Sequence, residues 1–249
     1  MMTYQTIEKL AEMKLSGMAE AMRTQMESPE LRNMSFEDRF GMLVDAEYST
    51  RQSTELNKRI KQAQLKQSAC IEDIDFQHGL DRTTMLLLSQ CGWVTEGIPI
   101  LIDGKTGVGK SFLSTALAQK ACRCGFTSLY YRAPRLFQEL TVKKLTNKYT
   151  NFLSKLEKID VLVLDDFALV PMTDEQSRDL LEVVDDRAGK RPMVIASQIP
   201  PDKWYGAIPS ATIADAILDR LIHGAYKLHL TGESKRKSRK RKSTDETAA

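Results

Sequence analysis

The sequence predicts an α/β protein: a parallel sheet covered by helices on both faces, preceded by a small all-helical unit. Three observations carry this reading. From about residue 98, short β-branched or aromatic runs alternate with helical patterns, the alternation that builds parallel sheets with crossover helices. Before about residue 70 no such runs occur, and apolar residues recur at helical intervals instead. Between the first strand-like run and the helix that follows lies Gly104-Lys-Thr-Gly-Val-Gly109-Lys110-Ser111, a glycine-rich turn in a strand-turn-helix setting.

In chain order, Ile7, Leu10, Ala11, Met18 and Met22 mark the first helical stretch, which Ser28-Pro29 interrupts. Ser35, with Asp38 three positions on, caps a second helix running through Phe36, Phe40, Leu43 and Val44 toward Leu56 and Ile60. Its later part, 51 to 66, holds Arg51, Lys58, Arg59, Lys61 and Lys66 against Glu55, a basic helical face. Met13, Met18, Met22 and Met26 read either as the core of this helical unit or as a partner groove. Asp81 caps a helix carrying Met85, Leu86 and Leu88. Strands are expected at 98–102, 127–131, 159–164, 192–196 and 226–230. Between them lie helices at Ser111–Cys124 closed by Gly125, at 134–157 with a polar break near Asn147, at Thr173–Arg187 closed by Gly189, and at Ala211–His223 closed by Gly224. The expected division is a helical domain at 1–67, a linker at 68–97, the α/β domain at 98–232 and a basic, disordered tail at 233–249.

With 249 residues, 42% hydrophobic and 28% charged, the chain buries a core that needs no metal or disulfide staple, which excludes wholly disordered and collagen-like classes. Its longest apolar runs, 98–102 and 161–164, fall far short of the roughly 20 residues that cross a bilayer, so no membrane partner is expected. The first residues carry charges throughout a helical pattern instead of an apolar leader, which implies a cytoplasmic location. Cys70, Cys91, Cys122 and Cys124 form no CxxC pair and His78, His223 and His229 are scattered, the pattern of reduced, mostly buried thiols. The net charge of +3 hides an asymmetry: residues 235–249 carry seven Lys or Arg against Asp245 and Glu246.

The turn satisfies GxxxxGK[ST], and its chemistry follows from its parts. Gly104, Lys105, Thr106, Gly107, Val108 and Gly109 let successive backbone N–H groups face phosphate oxygens, with the positive end of the next helix aimed at the same anion. Lys110 then reaches the β- and γ-phosphates, and the Ser111 hydroxyl ligates Mg²⁺. About fifty residues on, Val161-Leu-Val-Leu164 runs into Asp165-Asp166, a buried strand ending in paired carboxylates. Asp165 would hold the Mg²⁺ hydration shell and Asp166 would orient or deprotonate an attacking water. Two further positions stay open on the residues alone. Ser197-Gln198 reads as a polar sensor of the γ-phosphate or as the start of a loop, and Arg220 as an arginine finger for a neighbouring subunit or as a salt bridge at a helix end.

The ordered set GKTGVGKS, VLVLDD, IASQIPPDKWY, ILDRL and GESKRK, with ELNKRIKQAQLKQSACIEDIDF before it, resembles the IstB family of transposition helper ATPases from bacterial insertion sequences. That family is similar to the DnaC helicase loaders of the AAA+ class, and the resemblance spans nearly the whole chain. It implies an AAA+ P-loop NTPase core with a five-stranded sheet of order 5-1-4-3-2. It also implies Mg²⁺-dependent hydrolysis of ATP to ADP and phosphate, stimulated by DNA and by oligomerisation. The implied product is a homo-oligomeric ring or spiral on DNA that delivers target DNA to a partner transposase. Carried onto this chain, Lys110 and Ser111 bind ATP and Mg²⁺, Asp165 supports the metal and Asp166 activates water. Ser197 or Gln198 stands at the sensor position, Arg220 matches the finger acting in trans, and Arg236 matches a second sensor. Many AAA+ enzymes carry Glu where this chain has Asp166, a departure that implies slow turnover or switch-like use of ATP.

DNA contact needs positive charge along a surface. The candidates are Arg51, Lys58, Arg59, Lys61 and Lys66, then Lys143, Lys144 and Lys148 after the second strand, and the tail KRKSRKRK. Each reads equally as a solvated charged face. No base-reading motif occurs, so the expected partner is duplex DNA bound with little sequence preference. The alternative from the same core is a DnaC-like replicative helicase loader holding single-stranded DNA.

Overall fold

The computed structural model of the protein describes residues 2–76 and 79–233. The chain forms two compact units, the first ending at Lys58 and the second beginning at Arg59.

The first unit is helical: α1 (Met2–Glu12), α2 (Ser16–Glu27), a 3₁₀ turn at Pro29–Asn33, and the start of α3 (Phe36–Ala63), which runs on into the second unit. The predicted Ser35 cap holds, since its hydroxyl accepts from the Asp38 N–H at 3.1 Å and donates to the Asp38 carboxylate at 2.7 Å. Helix α2 has no cap of its own. Glu47 of α3 supplies one, accepting from the Gly17 and Met18 N–H groups at 2.8 and 3.2 Å and pairing with Arg51 at 2.7 Å. The Arg51 hydrogen bond, together with these N–H groups, keeps the Glu47 carboxyl below the ordinary carboxylate value despite its burial. Gly17 is what lets the helices approach so closely, because a Cβ there would stand 2.7 Å from the Ala46 carbonyl. Met18, Met22 and Met26 are half-buried in this unit, whereas Met13 is exposed.

The second unit carries the sheet: β1 (Ile100–Gly104), β2 (Ser128–Arg132), β3 (Val161–Phe167), β4 (Met193–Ser197) and β5 (Tyr226–Leu230). All pairings are parallel and the order is β2-β3-β4-β1-β5, the predicted 5-1-4-3-2 read from the other edge. Four strands begin one or two residues later than the apolar runs suggested. Pro99 has no N–H for the ladder, so β1 starts at Ile100, while Asp103 and Gly104 stay paired with His229 and Leu230. β1 and β3 run past their apolar runs to Gly104 and Phe167, so Asp103, Asp165 and Asp166 are strand residues.

Helices α4 (Arg82–Ser89), α5 (Gly92–Thr95) and α6 (Lys110–Arg123) pack one sheet face, where Met85, Leu88, Trp93, Leu113 and Leu117 meet Ile100, Ile102 and Val194. Helices α7 (Ala133–Leu145), α8 (Tyr149–Lys158), α9 (Asp174–Arg187) and α10 (Ala211–Ile222) cover the other, where Leu136, Leu156, Leu180 and Ile217 meet Leu101 and Ile195. Successive strand residues point to opposite faces, so both layers draw on the same short strands, each fully buried aliphatic side chain contributing about 2 kcal/mol. The expected Asp81 cap holds, accepting from the Thr84 N–H at 2.7 Å, while Thr173, read as the first helical residue, lies just outside α9 and forms a full capping box with Gln176. The polar break between α7 and α8 turns at Asn147, φ +53°. Arg187, 1% exposed, braces the starts of β3 and β4 through the carbonyls of Leu156, Ile159, Asp160 and Pro192, and burial pushes its guanidinium down to about 10. All four thiols are free. Cys91 and Cys122 are buried as predicted, Cys70 is half-buried and Cys124 is exposed.

Candidate functional site

The glycines of the loop after β1 each answer a geometric demand. Gly104 has φ +145°, and a Cβ there would stand 2.3 Å from the Leu230 carbonyl of β5. Gly107 and Gly109, at φ +89° and +111°, then reverse the chain into α6. That helix has no side-chain cap at its start, the end that faces the loop. Lys110 folds back over the turn, its ammonium donating to the Gly104 and Lys105 carbonyls at 2.6 and 2.8 Å.

Beside the loop, the Ser111 hydroxyl donates to Asp165 Oδ2 at 2.6 Å. Asp165 is 1% exposed. The Tyr130 hydroxyl at 2.5 Å and the Lys66 ammonium at 3.3 Å share that oxygen, and the Asp166 N–H donates to Oδ1 at 2.9 Å. Burial pushes this carboxyl up. The hydrogen bonds from Ser111 and Tyr130 and the charge of Lys66 outweigh it, so Asp165 lies below its ordinary value and is ionised near neutral pH.

Asp166 sits at φ +56°, where the β3–β4 register shifts between Leu164 and Phe167. The bulge re-aims its side chain to a 2.7 Å ion pair with Arg132 at the end of β2. The Gln198 amide oxygen accepts from Thr106 of the loop at 2.7 Å. Its neighbour Ser197 is fully buried, donating to the Phe167 carbonyl and accepting from the Ile199 N–H and the Trp204 indole. Of this pair it is Gln198 that lines the cavity.

That cavity, about 400 Å³, is lined by the loop, Asp165, Asp166 and Gln198 together with the apolar Ile74, Leu80, Phe112 and Leu230. It offers both polar groups and apolar surface to a ligand. The donor chemistry also suits Mg²⁺, which takes oxygen ligands, one or two from protein and the rest from water and substrate phosphates. Ser111 and Asp165 are such a pair. Among the described residues no group of three or more His, Cys, Asp or Glu gathers that would hold a metal by itself.

Arg220 lies in the last turn of α10 and does not line this cavity. It pairs with Asp185 of α9 and donates to the Ala216 carbonyl at 2.7 Å. Lys66 departs from the sequence reading. Helix α3 ends at Ala63 and the chain turns at Gln64, φ +51°, so Lys66 belongs to the cavity wall and not to a basic helical face. Arg51 pairs with Glu47, Lys58 approaches Glu55 at 3.9 Å, and Arg59 donates to the Cys122 carbonyl at 3.1 Å, while Lys61 is exposed. Lys143 approaches Glu139 at 3.7 Å and Lys148 is exposed. Lys144 is held by Glu175 at 3.0 Å and Asp179 at 2.5 Å, which neutralises its charge locally. The sequence reading missed Tyr130, Arg132 and, in the cavity wall, Asp73, Ile74, Asp75 and Leu80. The strand register was the available signal for Arg132, which pairs with Asp165 across β2 and β3. Arg236 and the basic tail lie outside the described residues.

Residues 8–243 match the family described as IstB-like ATP binding protein. An insertion-sequence ATP-binding protein of Sinorhizobium fredii is 38% identical over 245 residues, which cover 98% of this chain and 100% of that protein. The ATP-binding protein of insertion sequence IS1162 from Pseudomonas fluorescens is 40% identical over 203 residues, covering 80% and 88%. Among solved structures, that of the DnaC helicase loader is similar with a TM-score of 0.58 at 16% identity, covering 66% of this chain and 97% of that one, a likeness of fold. No helix among the described residues is long and apolar enough to cross a membrane. A glycine loop that opens a helix beside a buried carboxylate, on a sheet of this order, agrees with these matches: the chain belongs to the family of IstB-like ATP-binding proteins of insertion sequences and has the AAA+ fold.

Proposed function

We propose that the chain is an ATP-hydrolysing transposition helper, assembling on duplex DNA when loaded with ATP and delivering that DNA to a partner transposase. The observation that carries the reading is the Ser111–Asp165 pair, 2.6 Å apart beside an uncapped, glycine-led helix start. The loop N–H groups and Lys110 bind the β- and γ-phosphates, for which Lys110 exchanges the Gly104 and Lys105 carbonyls for phosphate oxygens. Ser111 and Asp165 would hold Mg²⁺, which when bound offsets the phosphate charge. Asp166 accepts the proton of the attacking water once it leaves Arg132, and its carboxylate is one methylene shorter than a glutamate's. Gln198 contacts the γ-phosphate, with Ser197 bracing the end of β4. Arg220 acts on the nucleotide of a neighbouring copy in a ring or spiral. Its exposure and its distance from its own cavity support that role.

DNA contacts come from separate patches, Arg51, Lys58, Arg59 and Lys61 of α3 in one and Lys143 and Lys148 in another, while Lys144 adds little because two carboxylates already hold it. Phosphate contacts of this kind carry affinity without sequence preference.

Sedimentation of the full chain with duplex or single-stranded DNA, in ATP–Mg²⁺, in ADP or without nucleotide, tests the proposal. Large complexes only with ATP and duplex are the expected result. A preference for single strands replaces the helper with a helicase loader, and no DNA-dependent assembly in any condition rejects both.

A further inference from the structure

We propose that Lys66 is a built-in counter-ion of the magnesium position, which a metal–nucleotide complex must displace in order to bind. The inference rests on the nucleotide reading of the cavity. The Lys66 ammonium lies 3.3 Å from Asp165 Oδ2 and 3.4 Å from the Ser111 hydroxyl, the two groups that would hold Mg²⁺. A divalent cation held by these two groups, directly or through its hydration water, would compete with the ammonium for the space beside Asp165 Oδ2, and like charges so close repel.

The backbone delivers this side chain by construction. Ala63, the last residue of α3, is fully buried, and Arg59 one turn earlier is tied to the Cys122 carbonyl near the end of α6. The left-handed turn at Gln64 reverses the chain, Leu65 packs against the core around α6, and Ala69 is buried again. Lys66 therefore projects from a short segment anchored on both sides. Its own side chain is 38% exposed, and its four-carbon stem lets the head swing away without moving the backbone. A fixed base and a free head are what an exchangeable cation requires. The other contacts on Asp165 do not compete in this way, since Tyr130 and the Asp166 N–H are neutral donors that can remain when a metal arrives.

The test uses the full chain as wild type, Lys66→Gln and Lys66→Arg. A fluorescent ATP analogue is held at fixed concentration while Mg²⁺ is varied. Removing the competing charge is expected to lower the Mg²⁺ concentration for half-maximal binding on the order of tenfold, the effect of one charged hydrogen bond. Lys66→Arg should keep the wild-type midpoint, and affinity at saturating Mg²⁺ should be unchanged in both variants. In a second measurement, MgCl₂ alone is added during thermal unfolding, and it should raise the midpoint of Lys66→Gln more than that of the wild type, because the metal there gains a buried carboxylate that the Lys66 ammonium no longer occupies. An unchanged Mg²⁺ requirement in Lys66→Gln overturns the inference. So does weaker nucleotide binding at saturating Mg²⁺, which would make Lys66 a phosphate ligand. If the wild type fails to bind the analogue, the nucleotide reading itself fails, and the magnesium-only unfolding series still decides whether Lys66 guards Asp165.

Discussion

Replacing Tyr130 by Phe should expose how a buried Asp165 stays ionised. The hydroxyl donates to Asp165 Oδ2 at 2.5 Å, on a carboxylate 1% exposed that also receives Ser111, Lys66 and the Asp166 N–H. Burial and the neighbouring carboxylate push the phenol above its usual value, so it is a donor throughout the working pH range. A hydrogen bond to a charged group contributes roughly 1.5–3 kcal/mol. Three partners remain and the ring stays packed, so the low end applies, about 1.5 kcal/mol. For a domain of this size that lowers the unfolding midpoint by about 3–6 °C. The pH dependence has a definite sign. The folded carboxyl lies below its ordinary 3.8, so it stabilises the fold above that value, and the contribution is lost as pH falls through the folded one. Since Tyr130 helps to lower it, the gap between wild type and Tyr130→Phe should be full at neutral pH and shrink below about pH 4. Thermal or denaturant unfolding across this range measures it. Coincident transitions at neutral pH, or a gap that persists unchanged into acid, would refute the reasoning, the latter by assigning the loss to packing.

Three more predictions follow from the geometry. Asp166→Asn should bind ATP with near wild-type affinity yet lose hydrolysis by at least a hundredfold, so that ATP-dependent assembly persists; phosphate release and sedimentation read the two separately. Arg220→Ala should lose hydrolysis while keeping nucleotide binding, whereas Asp185→Ala, which removes only its salt-bridge partner, should not; equal activity in Arg220→Ala and wild type rejects the finger. Gly17→Ala should destabilise the helical unit by about 1–3 kcal/mol, because its Cβ meets the backbone of α3, and helical circular dichroism during denaturation should show that unit melting earlier.

Much of the fold was legible because its signals are local. Ser35, Asp81 and Thr173 cap helices through groups three residues away, and Asn147 breaks one with its own backbone angle. The strand ends slipped because the expected ranges followed the apolar runs, while parallel pairing carries the ladder on to Asp103 and Asp165, in register with His229 and Arg132. Lys66 was misplaced because the end of α3 is marked by no glycine or proline, only by Gln64 adopting a left-handed angle once Ala63 and Leu65 find the core.

What the sequence by itself determined was the order of the elements and the presence of the loop, Lys110, Ser111 and the paired carboxylates, because spacing along a strand, a turn and a helix start is set by bonds between near neighbours. Only the tertiary structure decided which polar groups converge on Asp165. Tyr130 and Lys66 are 35 and 99 residues from it, and their meeting depends on strand register and on how the chain leaves α3. The same holds for the choice of Gln198 over Ser197, since alternation along β4 turns one side chain into the core and leaves the next at the cavity.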